Sequence, residues 1–189
     1  MKKFKVSVFL AVVLLMFVTK LNAQQCNLQG IVKYEYNDYI GYKIDEGAEI
    51  YIVSVSTAKS VDFEVWERYQ ELADKYMFYL ELKNEYDYGI DNATIRSISS
   101  FSLQNEKELD SLSSKCYSQC LDIQTNAEYI SLVDASGKYT QQLPYGEYYI
   151  LAKSNNRNRI LLPEISGRLL LEKVVIEKPT KILSFEFDY

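Results

Sequence analysis

The alternation of apolar and polar positions divides the chain into two strand-rich blocks around a helical one. From Asn27 to Tyr36, Leu28, Gly30, Val32, Tyr34 and Tyr36 share one face, with Gln29, Ile31, Lys33 and Glu35 on the other. This period of two predicts a strand with one wetter face. Residues 37–46 read as a polar loop broken by Gly41, and the next run, AEIYIVSV from Ala48 to Val55, is short and β-branched and predicts a central strand. At Ser60 the period changes. Ser60 is placed to cap a helix whose first turn carries Asp62 and Glu64 and whose apolar line runs Val65, Tyr69, Leu72, Tyr76, Leu80, widened by Trp66, Ala73 and Met77. That helix is expected to last to about Asn84, and a second one, from about Asn105 to Ile123, is marked by Leu109, Leu112, Cys116, Cys120 and Ile123. Residues 93–103 fit either a short helix or an extended segment, so the middle of the chain reads as an α-hairpin.

Period-two patterning returns at Glu128. The stretch EYISLVDASGKYTQQLPYGEYYILAKS, residues 128–154, predicts a three-stranded β-meander, because Asp134-Ala135-Ser136-Gly137 and Leu143-Pro144-Tyr145-Gly146 both suit type I turns opening into short hairpins. Tyr148, Ile150 and Ala152 face away from Tyr149 and Leu151. Residues 169–177 and 182–189 predict two closing strands, with Leu183, Phe185, Phe187 and Tyr189 alternating against Ser184, Glu186 and Asp188. The expected fold class is α+β: a β-sandwich with an inserted α-helical hairpin. Its strand blocks cover 27–56 and 127–189 of a single domain, 24–189, and its insertion covers 57–126.

The first residues add an address. Lys2, Lys3 and Lys5 precede an apolar run from Val6 to Val18, and the small residue Ala23 follows, which predicts a signal peptide over 1–23 with cleavage before Gln24. The run is shorter than the roughly 20 residues of a spanning helix, so no stable membrane span is expected after cleavage. Loss of the segment removes four lysines and moves the formal charge from −5 to −9. An acidic chain without a basic block is a poor partner for nucleic acid. The expected location is secreted or periplasmic.

Candidate chemistry is sparse. The chain has 17 Tyr and no His, which removes the commonest general base and zinc ligand together. No catalytic, cofactor or metal residue is assigned. Asp87 and Asp91 beside Gly89 lack the alternating oxygen ligands of a calcium loop, and Asn92-Ala93-Thr94 matches a glycosylation sequon that matters only in a glycosylating host. The three Cys leave an odd thiol in an oxidising compartment. Cys116 and Cys120, four apart on a helix, hold their Cβ atoms too far apart for a disulfide, so packed thiols are expected. Aromatic residues offer the better binding hypothesis. Tyr34, Tyr36 and Tyr148 read as strand residues, whereas Trp66, Phe78 and Tyr79 lie off the line joining the two helices and need another surface to cover them, either the sandwich or a partner.

The blocks from Leu28 to Lys59 and from Thr125 to Tyr189 together resemble the carboxypeptidase regulatory-like, or transthyretin-like, β-sandwich family. The resemblance rests on Gly30, Gly47-Ala48, Asp134-Ala135-Ser136-Gly137-Lys138-Tyr139 and Leu143-Pro144-Tyr145-Gly146-Glu147-Tyr148. It implies a Greek-key sandwich of about seven strands and a non-catalytic accessory of exported or surface proteins, with the helical segment in place of a short connection, so that the sandwich is complete without the insertion and a short loop replacing 58–125 should leave a cooperative β-rich fold. The expected function is an exported binding or interaction module of the cell envelope that takes a protein or carbohydrate ligand, with recognition assigned to the insertion through Trp66, Phe78 and Tyr79. The rivals are a secreted hydrolase using carboxylates and a purely structural component of an envelope assembly.

Overall fold

A computed structural model describes residues 25–37, 39–86, 92–156 and 168–187, with 77–86 and 92–104 described as backbone only. The elements run β1 (Gln25–Asn37), β2 (Gly41–Ile44), β3 (Glu49–Ser54), α1 (Phe63–Tyr86), α2 (Asn92–Asn126), β4 (Tyr129–Leu132), β5 (Lys138–Pro144), β6 (Gly146–Lys153), β7 (Leu169–Ile176), β8 (Thr180–Ile182) and β9 (Phe185–Phe187). They form an α+β sandwich. One sheet has the order β4-β3-β6-β7; the other is built on β1, which pairs antiparallel with β5 and β2 and parallel with β8 and β9. The described strands number nine rather than about seven, because the expected loop over 37–46 contains β2 and the last strand is divided into β8 and β9.

The meander is corrected. Its three strands exist, but β4 pairs with β3, β5 with β1, and β6 with β3 and β7, so both turns carry the chain from one sheet to the other. The turn chemistry is nevertheless as read: Gly137 N–H donates to Asp134 O at 2.8 Å, and Asp134 Oδ1 accepts from Ser136 N–H and Lys138 N–H. Gly137 has φ +78°, which a β-carbon disfavours. At the second turn Tyr148 Oη donates to Pro144 O at 3.0 Å and closes the corner. Turn residues report that the chain reverses. They do not report which neighbour each arm hydrogen-bonds.

The region between β8 and β9 explains Gly30. Both strands keep one register on β1, with Asn27 opposite Thr180 and Val32 opposite Phe185. Between them the Leu183 carbonyl turns into the sandwich, where it accepts from Tyr139 Oη at 2.6 Å. A β-carbon on Gly30 would lie 1.7 Å from that oxygen, so only glycine fits there.

Two cores result from the alternation on β3 and β6. Ile50, Ile52, Tyr148, Ile150 and Ala152 point between the sheets, against Leu28, Val32, Tyr139, Leu143, Phe185 and Phe187. Val53, Tyr149, Leu151, Leu169 and Leu171 point the other way and are covered by Trp66, Tyr69, Leu72, Leu109, Cys116, Cys120 and Ile123 of the helices. The sandwich is therefore not complete without the insertion. Uncovering those five sheet residues would forfeit on the order of 10 kcal/mol of apolar burial, as much as a domain's whole net stability. The α1 cap is also corrected: Asp62 Oδ1 accepts from Glu64 N–H at 3.2 Å, while Ser60 Oγ donates to Asp122 of α2.

Candidate functional site

The helical hairpin is the first place to look, since recognition was expected there. Its two helices run antiparallel: Cys116 Sγ lies 3.8 Å from Val65 O, Arg68 bridges Glu71 and Glu108, and Tyr76 Oη reaches Glu106 at 3.4 Å. Trp66 is only 1% exposed and belongs to the core between helices and sheet. It offers nothing to a partner, because the sheet needs it: the second face of β3 and β6 is as apolar as the first. Phe78 and Tyr79 have no described side chains, and Asp87, Gly89 and Asp91 lie outside the described residues.

Cys116 and Cys120 are free and buried within the unbroken α2. Burial pushes both thiols up to about 12, which leaves almost no thiolate at neutral pH and removes them as nucleophiles. Several carboxylates fasten local structure. Glu128 is held below its usual range by Ser54 and then Thr57, whose hydroxyls donate to Oε1 at 2.6 and 2.7 Å. Glu49 is lowered first by Lys153, at 2.6 Å, on the face beside the hairpin. Asp45, fully buried, accepts from Ser154 Oγ, Asn155 N–H, Asn156 N–H and Asn156 Nδ2 and ties the chain after β6 to the turn before β3. Burial raises the Glu172 carboxyl above its usual range.

The described surface has two features that the sequence reading passed over. The β1–β2 ribbon carries Tyr36, Tyr39, Ile40, Tyr42 and Ile44, all exposed, with Tyr39 fully so and Ile40 at 58%. Lys43 Nζ sits 3.3 Å from the Tyr36 ring centroid, a cation–π contact that stiffens the ribbon. The available signal was Tyr42-Lys43-Ile44, apolar and polar by turns beyond Gly41. The second feature is a cavity of about 290 Å³ at the base of the hairpin, lined by Ser60, Ser118, Gln119, Leu121, Asp122 and Thr125. Its signal was Gln119, a polar residue standing inside the stripe of Cys116, Cys120 and Ile123.

No known protein family matches the chain, and no curated relative does. Among solved structures it is similar to a minor pilin of Streptococcus agalactiae, at 12% identity and TM-score 0.37, over 87% of this chain and 44% of that one. It is also similar to a candidate carbohydrate-binding protein of Pseudomonas aeruginosa, at 8% identity and TM-score 0.38, over 86% and 88% of the two chains. The full-length major pilin of Streptococcus pneumoniae follows at 11% identity and TM-score 0.31, over 86% of this chain and 30% of that one. The chain thus spans less than half of either pilin, and at these scores the likenesses assign no function. No described helix is long and apolar enough to cross a membrane.

Proposed function

We propose that this chain is an exported, non-catalytic interaction module of the cell envelope, secreted or periplasmic, that binds a protein or carbohydrate partner. Its sandwich is akin to the transthyretin-like, carboxypeptidase regulatory-like domains. The observation that carries the reading is the β1–β2 ribbon, where five large apolar side chains stand exposed within nine residues at a sheet edge. Isolated exposed apolar residues are ordinary; Tyr42 and Ile44 on one face of this ribbon, with Tyr39 and Ile40 exposed at its turn, are the kind of surface a partner covers. Tyrosine suits that role, since it presents wide contact area with few rotamers to freeze. Phe78 and Tyr79 of the insertion stand as a second contact on the same partner.

The test is capture from envelope extract by the purified exported protein. Tyr39→Ser with Ile40→Ser should abolish capture of the wild-type partner while leaving the circular dichroism unchanged. Phe78→Ser with Tyr79→Ser asks the same of the hairpin. Capture that survives both pairs of changes would refute the reading.

A further inference from the structure

The two edges of the β4-β3-β6-β7 sheet are built differently. β4 pairs with β3 and has no strand on its other side among the described residues. Val133 N–H donates to Ala48 O at 2.9 Å, which makes Glu49 and Leu132 a non-hydrogen-bonded pair and leaves Ser131 as the β4 residue that exchanges bonds with Ile50. Ile130 and Leu132 therefore aim their N–H and C=O groups away from β3. Their side chains are 56% and 67% exposed, on the face opposite Ser131, whose Oγ donates to Gln141 Oε1 at 3.0 Å and ties β4 to the other sheet. Proteins ordinarily guard an open edge with charges or proline. β7, the far edge, follows that rule with Glu172 and Lys173, whereas Tyr129–Leu132 contains no charge and no proline.

The spacing of the outward groups selects the occupant. Ile130 and Leu132 offer donor and acceptor pairs two residues apart, the repeat of an extended backbone, so an added strand satisfies all four groups together. A second copy of this chain fits poorly. An antiparallel self-pairing that joins all four groups to one another is centred on Ser131; it sets Ile130 against Leu132 of the second copy, but it also sets Glu128 against that copy's Asp134. Like charges directly opposite are destabilising. Both carboxyls are held below their usual range, Glu128 chiefly by the Ser54 hydroxyl and Asp134 chiefly by the Lys138 N–H, so both are ionised at neutral pH. They bracket the edge two residues before Ile130 and two after Leu132, and they favour basic residues on the strand that lies opposite.

We propose that β4 is a docking edge for an extended segment of another protein, added as an antiparallel strand with apolar residues opposite Ile130 and Leu132, a small or polar residue opposite Ser131, and Lys or Arg opposite Glu128 and Asp134. This edge lies in the other sheet from the β1–β2 ribbon and does not depend on what the ribbon binds. The experiment is selection of a displayed library of random peptides on the immobilised exported protein, followed by NMR titration with one enriched peptide. Enriched sequences should carry two apolar residues at alternate positions, with Lys or Arg two residues outside each. Binding should slow amide hydrogen exchange at Ile130 and Leu132. Leu132→Pro, which deletes a donor that β3 does not use, should weaken binding about tenfold. Ile130→Lys, at an exposed side chain, should do the same by removing an apolar contact and repelling the basic flanks, and it decides the matter if the proline disturbs β4. Exchanging the basic residues of the peptide for Glu should also cost about tenfold. A Tyr39→Ser, Ile40→Ser protein should bind the peptide as the wild type does, so a failed ribbon and a failed edge give different results. No enrichment of this pattern, binding unchanged by Leu132→Pro and Ile130→Lys, or a dimer in sedimentation that Ile130→Lys dissolves, which would make a second copy the occupant, would each overturn the proposal.

Discussion

Replacing Gly30 by alanine tests the tightest packing statement in the molecule. The new β-carbon would sit 1.7 Å from Leu183 O, 2.7 Å from Leu183 C and 2.8 Å from Tyr139 Cε1. Two of these are backbone atoms, so the segment between β8 and β9 must move away from β1. Overpacking of this kind costs about 1–3 kcal/mol. Displacing the Leu183 carbonyl also breaks its 2.6 Å bond from Tyr139, whose buried hydroxyl then adds about 1–3 kcal/mol. The expected total is about 4 kcal/mol, or a fall of roughly 2 M in the urea midpoint at a slope of about 2 kcal/mol/M. Gly41→Ala is the control: Gly41 has a left-handed φ, +70°, but nothing lies within 4 Å of its would-be β-carbon, so only about 1 kcal/mol of backbone strain is expected. Urea unfolding of both proteins, together with Tyr139→Phe and the Gly30→Ala, Tyr139→Phe double variant, completes a cycle. Tyr139→Phe should cost less in the Gly30→Ala background, where its partner has already moved. If Gly30→Ala is no more destabilising than Gly41→Ala, the inward carbonyl is not what holds this position.

Asp45→Ala should cost about 3 kcal/mol in urea unfolding, since it removes the acceptor of four hydrogen bonds at a fully buried carboxylate and strands the buried Ser154 hydroxyl; a cost under about 1 kcal/mol would refute that role. Alkylation of Cys116 and Cys120 at neutral pH should proceed only at the rate of unfolding, because both are buried and their thiols are pushed up to about 12; rapid labelling of the native protein, or a peptide joining the two, would contradict the packing. The Glu128 carboxyl is lowered in the folded state, so its contribution is fully present above the unfolded value of 4.5 and is lost as pH falls through the lower folded value. Glu128→Gln should accordingly lower stability at pH 7 and change little at the acid end, which flattens the acid limb of the stability profile, as read from urea midpoints across that range.

Local rules were enough for much of this protein. Period-two alternation located β1, β3, β5, β6, β7 and the last strand, and the switch to three- and four-residue steps located both helices, because burial on one face is written directly into spacing. The Asp134 turn was readable for the same reason: its bonds join residues four or fewer apart. What no spacing could state was which strands pair. The arms of a reversal look alike whether they form a hairpin or cross between sheets, and only long-range pairing with β1 and β3 separated β4, β5 and β6. The fate of Trp66 was likewise decided at a distance. Its position off the helix–helix line is local, but what covers it depends on the outer faces of β3 and β6, far along the chain. Tyr149 and Leu151 were visible as the second apolar face of β6, and a strand that is apolar on both sides must be covered on both; which element does so required the fold. The ribbon of Tyr39, Ile40, Tyr42 and Ile44 and the open edge of β4 belong to the same class, since exposure and a missing neighbour strand are properties of what surrounds a residue rather than of the residue itself.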